Sequence, residues 1–152
     1  MAAAWGRAAA VVAAVVAVDQ VTKALVRDQI PRGDRRGLLP GIELVHVRNR
    51  GIAFGLLDGR SVLLTVLVGG ALALLLAYFA LHADRPLLWL ATGLLLGGAL
   101  GNLLDRLRDE AVTDFIDLPL WPAFNVADMA ITAGVLVLLA AMESGRGRAR
   151  RS

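Results

Sequence analysis

The chain contains no cysteine. Disulfide staples, thiolate nucleophiles and cysteine-ligated metals are therefore excluded. Histidine is nearly as scarce, with only His46 and His82. They flank a strongly apolar stretch, which puts them on opposite faces of a membrane and prevents their sharing a metal ion. No His-Glu-x-x-His occurs, which argues against a zinc peptidase. Lysine appears once, as Lys23, against fifteen arginines. One ammonium inside an apolar helix, in a chain that otherwise uses guanidinium, hints that a compact cation matters there.

What the chain has in abundance is apolar length. Of its 152 residues 57% are hydrophobic, and the mean hydropathy is +0.65. Four stretches, roughly 8–26, 62–81, 87–104 and 124–142, reach the ~20 residues that a bilayer core requires. The expectation is an all-α membrane protein forming a single membrane-embedded domain over 1–152, with four transmembrane helices and both termini on one side. The first run follows Arg7 as a signal peptide would. Its apolar residues continue past Asp19-Gln20 at helical spacing (Val18, Val21, Leu25) and the cleavage pattern is poor, so it reads as a retained helix.

Between the first two spans lies a polar segment, 27–60, punctuated by Pro31, Gly33, Gly37, Pro40 and Gly41. Within it Ile42-Glu43-Leu44-Val45-His46-Val47 has β-branched, alternating character, which predicts a small β-like platform at the membrane surface. Residues 107–123 read as a second interfacial loop on the same face, with Trp121 as anchor. The Arg-rich tail, 143–152, suits anionic lipid heads and is a poor reader of nucleic acid. Orientation is not fixed by charge counting, because 27–60 alone holds seven arginines. Gly93, Gly97 and Gly101 recur every four residues, with Gly98 beside them, and this spacing predicts close helix packing.

The polar residues inside the apolar runs converge. Asp19 and Lys23 lie late in the first span and Asn49 just before the second. Asn102, Asp105 and Arg106 close the third, and Asn125 and Asp128 open the fourth. Since successive helices run in opposite directions, all fall at one face. Each has a plain alternative: a capping box for Asn125 and Asp128, an i,i+4 ion pair for Asp19 and Lys23, snorkelling for Arg106, and a turn for Asn49 and Gly51. Asp114 alone would be an ordinary loop acid. Their meeting at one interface favours chemistry there, and two carboxylates at one helix mouth, Asp114 and Asp128, suggest a pair that shares a proton and activates water.

These residues carry a resemblance. Val-Asp-Gln-Val-Thr-Lys (18–23), Asn-Arg-Gly-Ile-Ala-Phe (49–54), Gly-Gly-Ala-Leu-Gly-Asn-Leu-Leu-Asp-Arg (97–106), Val-Thr-Asp-Phe (112–115) and Phe-Asn-Val-Ala-Asp (124–128) stand in order. Each is weak alone; together, in a four-span chain of this size, they resemble signal peptidase II, the bacterial lipoprotein signal peptidase family. The resemblance implies an aspartic endopeptidase of the bacterial cytoplasmic membrane, with its site at the extracytoplasmic face and both termini cytoplasmic. Its partners would be membrane lipids and diacylglyceryl-modified prolipoproteins, cut on the N-terminal side of the lipidated cysteine. It implies Asp114 and Asp128 as the catalytic dyad, and Asp19, Lys23, Asn49, Gly51, Asn102, Arg106 and Asn125 as the supporting polar shell. No cofactor, metal or nucleic acid is implied, and the expected state is a monomer.

Within the dyad, the expectation is an anionic Asp128 and a protonated Asp114. Asp128 lies near the positive end of its helix, and the Asn125 side-chain amide is expected to donate towards it. Two rival classes fit less well. A serine–lysine peptidase has only Ser61 available at this face, without an oxyanion motif. A proton-coupled transporter calls for midplane acids and internal repeats, and neither is found.

Overall fold

The structure is a computed structural model that describes residues 1–50 and 58–149, with side chains outside 51–66 and 144–152. Gly51 lies outside the described residues, as does the side chain of Ser61. The chain runs α1 (Ala2–Gln29), β1 (Arg35–Leu39), β2 (Ile42–Asn49), α2 (Asp58–Leu81), α3 (Leu88–Asp109), β3 (Val112–Leu118), β4 (Trp121–Phe124) and α4 (Val126–Ala149).

Among the described residues three helices, Ala2–Gln29, Leu88–Asp109 and Val126–Glu143, are long and apolar enough to cross a membrane. In α2 the apolar segment so described is Leu67–Leu81. Half of the apolar window of α3 is buried, against 17% in α1 and 22% in α4, so α3 is the central helix. The outward faces of α1 and α4 carry Val18, Val21, Leu25, Val135, Leu136 and Leu139, all exposed. Apolar surface outside and polar groups within is the arrangement that lipid as solvent selects.

The glycines of α3 let two helices approach it. A Cβ at Gly93 would lie 2.6 Å from the Val11 Cβ, and one at Gly97 2.8 Å from the Val15 Cβ. Those two are packing glycines, as their spacing predicts. Gly98 faces α4 and Gly101 faces the Asp19 carboxylate, so the stripe also makes room for the polar cluster.

Helix ends follow local rules. Ile30 is extended because Pro31 follows it, which stops α1. At the other end of the bundle Trp5 and Phe79 pack with ring centroids 4.7 Å apart, beside the buried Ala8, Ala83 and Leu88. A left-handed Glu110 ends α3, its N–H returning to the Arg106 carbonyl. The chain turns directly into β3.

The four strands form one antiparallel sheet in the order β1-β2-β3-β4. The expected platform is present, but the expected interfacial loop over 107–123 is not a separate loop. It is the β3–β4 hairpin, paired Ile116 to Phe124 and Leu118 to Trp121, and it belongs to the same sheet. Pro122 fits because β4 is the edge strand. Asp114, expected on a loop, therefore sits on β3, opposite Val47 of β2. The sheet is fastened to the helices by Val26, Ile30 and Phe115, with Leu44, Ile116 and Val126 packed around them. The His46 ring adds a 2.8 Å hydrogen bond between Nδ1 and the Ile30 carbonyl. Helix α4 continues beyond its apolar stretch into the arginine-rich tail, to Ala149.

Candidate active site

The C-terminal ends of α1 and α3, the N-terminus of α4 and strand β3 meet at one end of the bundle, and the polar residues meet there. Asp19, Lys23, Asn102, Asp105, Asp114 and Asn125 are all buried. Asp128 is half-buried and Asn49 exposed, so the cluster opens on the side of Asp128 and β2.

The start of α4 is a reciprocal cap. The Asp128 N–H donates to Asn125 Oδ1 at 3.0 Å, and the Asn125 N–H donates to Asp128 Oδ2 at 3.3 Å. The capping-box alternative is thus correct as local structure. It does not exhaust either side chain. Asn125 Nδ2 donates to Asp114 Oδ1 at 2.7 Å and to Asn102 Oδ1 at 3.2 Å. Asn102 Nδ2 donates in turn to Asp128 Oδ1 at 2.8 Å. Two asparagines therefore link the two aspartates. Here the structure corrects one expectation: the Asn125 amide serves Asp114, and Asp128 takes its side-chain amide from Asn102. The reason is geometric. The Asn125 oxygen is occupied by the capping bond, which turns its amide nitrogen away from the helix and towards β3.

Asn49 completes the surroundings of Asp114, donating from Nδ2 to Asp114 Oδ2 at 2.9 Å. Burial pushes the Asp114 carboxyl above the usual carboxylate range, and the negative charge of Asp128 acts in the same direction. The amides of Asn49 and Asn125 and the charge of Lys23 oppose the shift without overcoming it. The carboxyl nearest the sheet is thus the one biased towards its neutral form.

One layer deeper lies Lys23, with no exposed surface. Its Nζ lies 2.8 Å from Asp19 Oδ2, 3.1 Å from Asp105 Oδ2 and 3.0 Å from Asn102 Oδ1. Three acceptors for three donors satisfy the ammonium completely. The i,i+4 ion pair with Asp19 exists, but it is only part of a larger group.

Arg106 is the shell member that the structure leaves aside. It is exposed and donates to the Asn102 carbonyl one turn back, touching neither dyad carboxylate. Conversely, the sequence reading gave no role to Asp105 or Gln20. Gln20 Nε2 lies 3.0 Å from Asp105 Oδ1, 3.1 Å from the Gly101 carbonyl and 3.2 Å from Asp19 Oδ2. The available signal was position: Asp105 follows Asn102 by three residues and shares its helix face.

Fold and site define a membrane protein whose apolar helices enclose a carboxylate–amide cluster at one end, roofed by a sheet. Comparison with known proteins narrows this. The family model described as signal peptidase (SPase) II matches residues 11–143. The lipoprotein signal peptidase of Moorella thermoacetica is 47% identical over 141 residues, covering 87% of this chain and 93% of that protein. That of Halothermothrix orenii is 38% identical over 130 residues, covering 85% and 90%. A solved bacterial membrane enzyme, obtained by the in meso method, superposes with a TM-score of 0.81 at 32% identity, covering 90% of this chain and 92% of that one. The chain belongs to the signal peptidase II family, and it is a membrane peptidase, hence a hydrolase.

Proposed function

We propose that the chain removes signal peptides from diacylglyceryl-modified prolipoproteins, cutting on the N-terminal side of the lipidated cysteine by aspartic catalysis. The observation that carries this reading is the linkage of Asp114 and Asp128 through Asn125 and Asn102. It holds two carboxylates in one polar pocket with different surroundings, one buried and one half-open. Different surroundings are what an acid–base pair of like residues requires.

In the proposed reaction a water molecule lies between the two carboxyls. Asp128, ionised, takes a proton from the water as its oxygen attacks the scissile carbonyl carbon. Asp114, protonated, gives its proton to the carbonyl oxygen. The product is a neutral gem-diol. Collapse breaks the C–N bond, with the proton now on Asp128 passing to the leaving amine and one diol proton returning to Asp114. The enzyme ends as it began, with no covalent adduct. Asn49 and Asn125 orient Asp114, and a half-turn of the Asn49 amide presents its oxygen to the Asp114 hydroxyl.

The lipidated cysteine keeps its acyl chains in the bilayer, which brings the peptide bond to an interfacial site. On this reading the polar end of the bundle lies at the extracytoplasmic face of the bacterial cytoplasmic membrane. Helix α2, whose 24 residues extend about 36 Å, makes the fourth crossing and both termini are cytoplasmic. The serine–lysine alternative loses support, since Lys23 is engaged by Asp19, Asp105 and Asn102 and is no free base.

The test uses purified protein in lipid, a lipobox peptide bearing the diacylglyceryl group and its unmodified twin. Only the modified peptide is cut, and Asp114→Asn and Asp128→Asn each abolish cutting while remaining folded and membrane-inserted. Near-normal turnover by either variant removes that residue from the dyad; equal cutting of both peptides removes the lipid requirement.

A further inference from the structure

Each member of the dyad follows a residue whose backbone N–H is bonded to a buried carboxylate. The N–H of Thr113, immediately before Asp114, donates to Asp105 Oδ2 at 3.0 Å. The N–H of Ala127, immediately before Asp128, donates to Asp19 Oδ1 at 2.9 Å. The first amide lies at the start of β3 and the second in the first turn of α4. The two carboxylates are joined by one cation, Lys23, which also holds Asn102 Oδ1 and so directs Asn102 Nδ2 at Asp128.

We infer that Asp19, Lys23 and Asp105 form a positioning clamp that sets the separation of the two catalytic carboxylates. The inference rests on the aspartic reading above and extends it to two carboxylates that do not themselves react. Strand β3 and helix α4 are also connected through the β3–β4 hairpin, the asparagines already described and the apolar packing of Phe115, Ile116 and Val126. The clamp ties the backbone on both sides to α1 and α3 one layer below the reaction. Gly101 is part of it: a Cβ there would lie 2.6 Å from Asp19 Oδ2, so only glycine leaves the carboxylate where it can reach Ala127. Gln20, bridging Asp19 and Asp105 from the side, braces the same two groups.

A purely structural role for this triad predicts something different. If Asp105 serves only to neutralise Lys23, a residue that keeps the charge preserves turnover. If it sets distance, lengthening the arm by one methylene harms turnover even with the charge intact. Asp105→Glu and Asp19→Glu are therefore the informative variants. Asp105→Asn and Asp19→Asn accompany them, and each leaves Lys23 paired with the remaining aspartate.

All four are measured as full-length protein in lipid nanodiscs with the diacylglyceryl-modified peptide. Readouts are kcat per folded molecule, KM, Tm, and the amide proton shifts of Thr113 and Ala127. The expected result is a fall in kcat on the order of 100-fold, the effect of a misplacement of about 1 Å, with KM within about twofold. The amide shifts should separate, with Thr113 moving in the Asp105 variants and Ala127 in the Asp19 variants. Two results overturn the clamp: wild-type kcat in folded Asp105→Glu and Asp19→Glu, or a loss accounted for wholly by the fraction unfolded. Where the asparagine variants do not fold, the glutamate variants decide alone. Turnover by Asp114→Asn or Asp128→Asn would instead bring down the aspartic reading, and it is scored separately.

Discussion

Gly98→Ala is expected to damage catalysis far more than stability. The added Cβ would lie 2.5 Å from the Ala127 carbonyl oxygen and 2.7 Å from Ile131 Cγ1. Ile131 can rotate away, whereas the carbonyl is fixed in the first turn of α4. Ordinary contact starts at 3.4 Å, so that turn must retreat by about 0.9 Å. Asp128 is carried on the same turn. A displacement of this size at a reacting group costs on the order of 100-fold in kcat. Against this, overpacking costs about 1–3 kcal/mol, and the better helix propensity of alanine returns about 1. The net loss of stability is then about 0–2 kcal/mol. The assay is kcat on the modified lipobox peptide beside thermal unfolding followed by tryptophan fluorescence. Gly70→Ala is the control, because a Cβ there meets nothing within 4 Å; it should raise Tm slightly and leave kcat alone. A Gly98→Ala enzyme within about twofold of wild-type kcat would refute the reasoning.

Burial raises the Asp114 carboxyl in the folded protein, so the unfolded chain loses this proton first as pH rises. The associated stability is present below the ordinary aspartate value of about 4 and is lost as pH climbs through the raised folded value. The Tm of wild type minus that of Asp114→Asn should therefore fall across that window, and a flat or rising difference counts against it. An infrared carboxylic-acid band persisting above the usual aspartate range and absent from Asp114→Asn would report the same proton directly. Lys23→Ala strands Asp19 and Asp105 without their cation and should cost about 3–5 kcal/mol. Lys23→Arg should lose less, yet stay below wild type, because a planar fork does not match three acceptors set around one nitrogen; an alanine variant equal to wild type in Tm and turnover would contradict this. Arg35→Ala should leave both Tm and cleavage close to wild type, since Arg35 and Glu43 are exposed, Asp117 is only half-buried, and solvent screens both pairs. A marked loss there would show that the outer sheet edge takes part in substrate handling.

The helices were legible because a bilayer imposes length and hydropathy on them, and the clustering of the polar residues because they sit at matching heights in helices of alternating direction. The sheet was half legible. Ile42–Val47 alternates as a half-buried strand should, whereas Arg35–Leu39 is exposed throughout and carries no such pattern. Val112–Leu118 was hidden for the opposite reason: Val112 to Phe115 are buried on both faces, which erases the period of two. The prolines at 119 and 122 then made the hairpin look like a loop. The Asn125 amide was assigned to the wrong carboxylate, because its capping bond fixes which way the other end of the amide points. Asp105 was placed in the cluster but given no role, because one of its partners is the backbone N–H of Thr113, and a backbone group has no sequence signature.

The Asp19–Lys23 pair also bears on how the protein is made. Helix α1 emerges from the ribosome first and carries its own counter-ion, one turn apart on a single face, so it can enter lipid as a nearly neutral rod. Asp105 arrives later, in the last turns of α3, where burying a carboxylate without a buried cation beside it is costly. That cost is relieved when α3 docks on α1 and shares Lys23. The last bond of the set, from the Ala127 N–H to Asp19, must wait until α4 has been synthesised. On the aspartic reading proposed above, a chain stalled before α4 has Asp19, Lys23 and Asp105 in place but lacks Asp128, and such a half-made copy is expected to be inert.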